Sequence, residues 1–163
     1  MKIRALSKFE YCLYIAIVAI GIGLDQLTKW LAVAFLKPID TVPIIKNALH
    51  LTYAENRGAA FGMLADNRWI FLVISSLAIL AMAFYLFAGI SEGKLAGIAL
   101  SLLISGGLGN MIDRMALGYV VDFIDFRLIN FAIFNGADSF VCVGAGLLIL
   151  ALILDLRKEK RPR

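Results

Sequence analysis

WIFLVISSLAILAMAFYLFAGIS, residues Trp69 to Ser91, runs for 23 residues without a charged side chain. As a helix rising about 1.5 Å per residue it is about 35 Å long, enough to cross a hydrocarbon core of about 30 Å. Two further stretches repeat the pattern: Leu95 to Ile112 has 18 uncharged residues and Ser139 to Leu154 has 16. The first apolar stretch is interrupted. Tyr11 to Leu24 is uncharged, Asp25 and Lys29 come next, and Trp30 to Leu36 resumes. Asp25 and Lys29 stand four apart, so a helix sets them on one face as a pair. The expected fold is an all-α integral membrane protein with transmembrane helices near 11–36, 69–91, 95–112 and 138–155, in a single domain over residues 1–163.

Composition agrees. Hydrophobic residues make up 61% of the 163, charged residues 17%, and mean hydropathy is +0.87. A soluble domain is nearer half apolar and a quarter charged. The net charge of +4 does not indicate nucleic-acid binding, because the basic residues cluster at the ends rather than in a patch with interleaved aromatics. Residues 1–10, 91–94 and 155–163 carry nine Lys and Arg in 23 residues, against six in the 58 residues of 37–68 and 113–138. The positive-inside rule then puts both termini in the cytoplasm and the two long connections outside. A basic start before an apolar run resembles a signal peptide, but no small-x-small cleavage site precedes a soluble domain, so a retained first helix is expected.

The outer connections carry strand patterns. Leu49, Leu51 and Tyr53 alternate with His50 and Thr52 and end at the turn-like Asn56-Arg57-Gly58. Tyr119 to Ile124 is β-branched and aromatic. Strands this short do not stand alone in water, so a small extracytoplasmic sheet resting on the membrane is expected. Cys12 and Cys142 lie in apolar runs without ligand partners and are read as packing residues. Asp125 with Arg127 is read as an exposed pair, and His50 as a surface strand residue.

Four acids fall within or beside apolar stretches: Asp25, Asp113, Asp122 and Asp138. Ionisable groups at membrane depth are costly and face an interior or a wet cavity, which makes each a functional candidate. The topology brings Asp113, Asp122 and Asp138 to one outer depth. Asn135 stands three residues before Asp138, the spacing of a capping box, and a helix N-terminus favours the ionised carboxylate. Asp122, between Val121 and Phe123, is expected to have a raised pKa by desolvation. Asp113 is expected to be a structural anion compensated by Arg114, and Asp25 with Lys29 a structural ion pair. If Asp122 and Asp138 approach within about 4 Å, their ionised forms repel by about 4 kcal/mol at an effective dielectric near 20. Such a pair shares one proton, holding water as base while offering a proton as acid. Composition removes competitors: one histidine cannot build a His-x-x-x-His zinc protease, and no Gly-x-Ser-x-Gly elbow is present. Ser105-Gly106-Gly107 and Gly107-Leu108-Gly109 are read as helix-packing sites rather than phosphate loops. A carboxylate-lined transporter would instead set its acids near mid-helix, and a purely structural subunit leaves the converging acids unexplained.

Five blocks occur in order: Asp25-Gln26-Leu27-Thr28-Lys29, Asn56 to Gly62 (NRGAAFG), Gly109 to Arg114 (GNMIDR), Val120-Val121-Asp122-Phe123 and Phe134 to Ser139 (FNGADS). Together they resemble the signal peptidase II family, bacterial inner-membrane aspartyl endopeptidases. The resemblance implies that Asp122 and Asp138 are the catalytic pair and that Asn56, Arg57, Gly58, Asn110, Asp113, Arg114 and Asn135 bind substrate or brace the site, with Asp25 and Lys29 in support. It implies a diacylglyceryl-modified prolipoprotein as substrate, cut on the amino side of the lipid-bearing cysteine. It also implies membrane lipid as surroundings, inhibition by globomycin, and neither metal nor other cofactor. The outer strands are expected to clamp the extended peptide by main-chain pairing, with residues 54–62 as a mobile cover.

Overall fold

The computed structural model describes residues 5–58, 68–90, 93–129 and 131–159. Helix α1 (Lys8–Leu31) continues as a π-helical turn over Ala32–Leu36. Strands β1 (Thr41–Ile45) and β2 (Leu49–Asn56) come next, then α2 (Arg68–Phe87), α3 (Gly93–Ala116), β3 (Val120–Phe126), a 3-10 turn over Arg127–Ile129, and α4 (Gly136–Glu159). All four helices, α1 taken with its π turn, are long and apolar enough to cross a membrane. Their boundaries differ from the sequence expectation at the ends. Helix α1 starts at Lys8 because Ser7 caps it: Glu10 N–H donates to Ser7 Oγ at 3.2 Å, and Ser7 N–H donates to Glu10 Oε2 at 2.9 Å. Helix α2 stops at Phe87, and Gly89 just beyond it has a φ of 71°, a conformation that only glycine adopts freely.

Helix α3 is the centre of the bundle. Its buried residues are mostly small, among them Ala96, Gly97, Ala99, Ser101, Ser105, Gly106 and Gly109. Small residues let neighbouring backbones approach closely where lipid offers no hydrophobic drive for association. A side chain at Gly106 would collide with the Ala137 carbonyl of α4, one at Gly97 with the Tyr14 ring of α1, and one at Gly109 with Asp25. The expected packing role of this glycine run is thus observed. The outer surface is the apolar one: Trp30, Trp69, Leu80, Phe84 and Ile149 are exposed, as helices facing lipid require. Cys12 and Cys142 are also exposed, so they lie on that face and are not the packing residues expected.

The three strands form an antiparallel sheet in the order β1-β2-β3. Both expected strands are present, and β1 is an additional edge strand that includes Pro43. The sheet packs on the end of α1, where Ala32 and Leu36 bury against Val121. His50 and Asp125 are cross-strand partners, each 8% exposed. Neither is the surface residue expected. The sheet is thin, but Asp125 is sealed by Arg127 Nε at 2.8 Å and Thr52 Oγ1 at 2.8 Å.

Candidate active site

Asp122 and Asp138 arrive from different elements and are held by the same asparagine. Asp122 lies on β3 and is 2% exposed. Its Oδ1 accepts from Asn135 Nδ2 at 2.6 Å and its Oδ2 from Asn56 Nδ2 at 3.0 Å. Asp138 is in the first turn of α4, where the capping box forms in both directions. Asp138 N–H donates to Asn135 Oδ1 at 3.0 Å, and Asn135 N–H donates to Asp138 Oδ2 at 3.2 Å. Asn110 Nδ2 on α3 donates to Asp138 Oδ1 at 2.8 Å.

The two carboxylates sit in different surroundings, Asp122 buried and Asp138 half-buried. Burial raises the Asp122 pKa to about 6, helped by the neighbouring charge of Asp138 and opposed by the Asn56 and Asn135 hydrogen bonds and by Lys29. The raised value lets Asp122 keep its proton up to about pH 6. Asp138, at the start of α4, accepts from Asn110 Nδ2 and from the Asn135 N–H.

Below the dyad lies a layer of buried charge. Lys29 Nζ is 2.9 Å from Asp25 Oδ2 and 3.1 Å from Asp113 Oδ2. The Asp25–Lys29 pair was legible, but the expected compensation of Asp113 by Arg114 is corrected: the cation that meets Asp113 comes from α1. Arg114 instead donates to the carbonyls of Asn110 and Gly58, each at 3.4 Å, and lies over the Phe71 ring at 5.0 Å. Gly58 is thereby tied to the site, and its N–H donates to Asn56 Oδ1 at 3.1 Å. Arg57 turns away towards Glu55 at 3.2 Å and the Tyr119 ring. Gln26 is a site residue the sequence reading missed; its Nε2 donates to Asp113 Oδ1 at 2.9 Å. An amide at membrane depth beside Asp25 was the available signal.

The edge of β3 is occupied. Phe123 and Ile124 N–H both donate to the Phe134 carbonyl, at 3.0 and 2.8 Å, and Val121 N–H donates to Asp113 Oδ2 at 3.1 Å. These groups are not open to a clamping peptide. Of the expected cover, residues 54–56 end strand β2, and residues 59–62 lie outside the described residues.

A family model for signal peptidase (SPase) II matches residues 17–154, a span that contains every residue of this cluster. The chain belongs to the signal peptidase II family. Relatives agree along the chain. It is 47% identical to the lipoprotein signal peptidase of Clostridioides difficile over 91% of this chain and 99% of that protein. Its identity to the enzyme of the same name from Bacillus subtilis is 40%, covering 93% and 99%. A bacterial membrane enzyme solved by the in meso method at 2.3 Å superposes with a TM-score of 0.84 at 34% identity, over 93% of each chain. A second, solved at 1.9 Å, gives 0.77 at 35%, over 86% and 92%. Signal peptidase II membership makes the molecule an aspartic protease and a multi-pass membrane protein.

Proposed function

We propose that Asp122 and Asp138 are the catalytic dyad of this signal peptidase II. Family membership makes the reaction the removal of a signal peptide from a prolipoprotein. In the proposed mechanism Asp138, ionised, takes a proton from water as the water oxygen bonds to the scissile carbonyl carbon. Asp122, protonated, gives its proton to the carbonyl oxygen. Collapse of the tetrahedral species breaks the C–N bond. The proton held by Asp138 passes to the leaving amine, and the hydroxyl proton returns to Asp122. The observation that carries this reading is Asn135, whose single side chain is bonded to Asp122 and to the Asp138 backbone at once.

The leaving amine belongs to the cysteine bearing the diacylglyceryl group. A lipid anchor holds the scissile bond at one depth and turns a solution encounter into a prepositioned one. The charge distribution supports cytoplasmic termini and a site at the extracytoplasmic face of the inner membrane. Globomycin is expected to compete for the same cleft. The test uses purified protein and a diacylglyceryl-modified prolipoprotein, with cleavage read as a mobility shift. Cleavage should be insensitive to chelators, blocked by globomycin and reduced roughly 10²–10⁴-fold in both Asp122→Asn and Asp138→Asn. Near-normal turnover in either variant overturns the dyad.

A further inference from the structure

Each dyad residue is preceded by a residue whose backbone N–H is held by a second, deeper carboxylate. Ala137 N–H donates to Asp25 Oδ1 at 2.9 Å, and Asp138 is the next residue. Val121 N–H donates to Asp113 Oδ2 at 3.1 Å, and Asp122 is the next residue. Lys29 joins the two deeper acids through its ion pairs to both. Its side chain is 4% exposed, and those of Asp25 and Asp113 are 0% and 4% exposed. The element carrying each catalytic candidate is therefore fastened, one residue upstream, to a single ammonium.

The same ammonium sets hydrogen-bond direction. Lys29 Nζ donates to Asn110 Oδ1 at 2.9 Å, and an ammonium has no acceptor. Asn110 must then turn its carbonyl to Lys29 and its Nδ2 to Asp138. Asn135 Nδ2 donates to that same carbonyl at 3.1 Å and to Asp122 at 2.6 Å. Both amides are thus oriented by one positive charge.

A helix staple would not need this arrangement. Buried ion pairs are weak sources of stability compared with well-packed apolar contacts, and a staple needs one carboxylate rather than two. We propose that Asp25, Lys29 and Asp113 form a positioning triad that sets the separation of Asp122 and Asp138 and orients the two asparagine amides between them. This rests on the dyad reading above.

The test compares Asp25→Asn, Asp113→Asn and the uncharged triple variant D25N/K29M/D113N with the parent enzyme in detergent, using a diacylglyceryl-modified prolipoprotein. Each single variant leaves Lys29 one carboxylate, and the triple buries no charge in the triad. Expected are folded proteins with KM unchanged, kcat reduced about 10- to 100-fold, and an alkaline limb of kcat/KM displaced from its parental position. In Asp113→Asn that limb moves to lower pH, because the Lys29 charge, no longer offset by Asp113, opposes protonation of Asp122. Folded variants with parental kcat and an unmoved limb overturn the proposal. So does failure of both single variants to fold, which would leave a structural staple only. Failure of the dyad reading shows separately, as normal cleavage by Asp122→Asn or Asp138→Asn. If only the triad proposal fails, those two variants are inactive while Asp25→Asn and Asp113→Asn keep the parental rate.

Discussion

Asn135 Nδ2 lies 2.6 Å from Asp122 Oδ1 while the carbonyl of the same side chain caps the Asp138 N–H at 3.0 Å. The cap fixes the amide, so the donor that faces Asp122 cannot rotate away without uncapping α4. Asn135→Asp separates the two tasks, since aspartate caps as well as asparagine but sets a carboxylate against Asp122. At about 4 Å and an effective dielectric near 20 the repulsion is about 4 kcal/mol. The variant is expected to keep its helix content by circular dichroism and to lose cleavage by about 10²-fold or more.

Burial raises the Asp122 pKa to about 6. Raising an acid's pKa extends its protonated form upward in pH. The proton is in place below about pH 6 and lost above it. If Asp122 supplies the acid, kcat/KM has an alkaline limb near pH 6, belonging to the coupled pair rather than to one residue. A profile flat from pH 5 to 8 contradicts this.

Gly106 and Gly146 separate packing from propensity. A Cβ at Gly106 would meet the Ala137 carbonyl and Val141 Cγ2, the latter at 2.8 Å, whereas among the described residues nothing lies within 4 Å of one at Gly146. Gly106→Ala is expected to lower stability by about 1–3 kcal/mol and to slow cleavage, because Ala137 adjoins Asp138. Gly146→Ala should be neutral or stabilising by up to about 1 kcal/mol. Thermal unfolding in detergent distinguishes them, and equal effects would remove the packing explanation.

The Asp125 cluster on the sheet should matter for stability and not for cleavage. Burial works to raise the Asp125 pKa, but the hydrogen bonds from Arg127 and Thr52 and the Arg127 charge hold it below the usual range. A depressed carboxylate pKa stabilises the fold above the unfolded value and loses that contribution as pH falls through the folded one. Arg127 is partly exposed, with 42% of its side chain accessible, so Arg127→Met is expected to cost about 1 kcal/mol or less at pH 7. The difference should vanish once acid has protonated Asp125 in both proteins, and kcat should not change.

Local features were legible and long-range ones were not. Apolar run length located four spans, helix periodicity paired Asp25 with Lys29, and the Asn135–Asp138 spacing announced its cap. Each depends on neighbours a few residues apart. The partner of Asp113 was misread because Arg114 is adjacent in sequence, while the ammonium that meets it crosses from α1. Which face α1 turns to α3 depends on close approach at Gly109 against Asp25, and no short window encodes that. Strand β1 was hidden by Pro43, a residue that edge strands tolerate because their outer N–H groups need no partner. The hold of Asp25 on Ala137 escaped for the same reason as the Asp113 pairing.

The π turn at Ala32–Leu36, where Lys37 N–H reaches back to the Ala32 carbonyl at 3.1 Å, makes chain length at this junction a fixed quantity. One residue removed there would close the wide turn to ordinary α geometry and change the spacing between Ala32 and Leu36. Ala32 and Leu36 could no longer seat Val121, and the platform carrying Asp122 would lose its footing on the bundle. Substitutions at the exposed Val33 and Phe35 of that turn are therefore tolerable where a single-codon deletion is not.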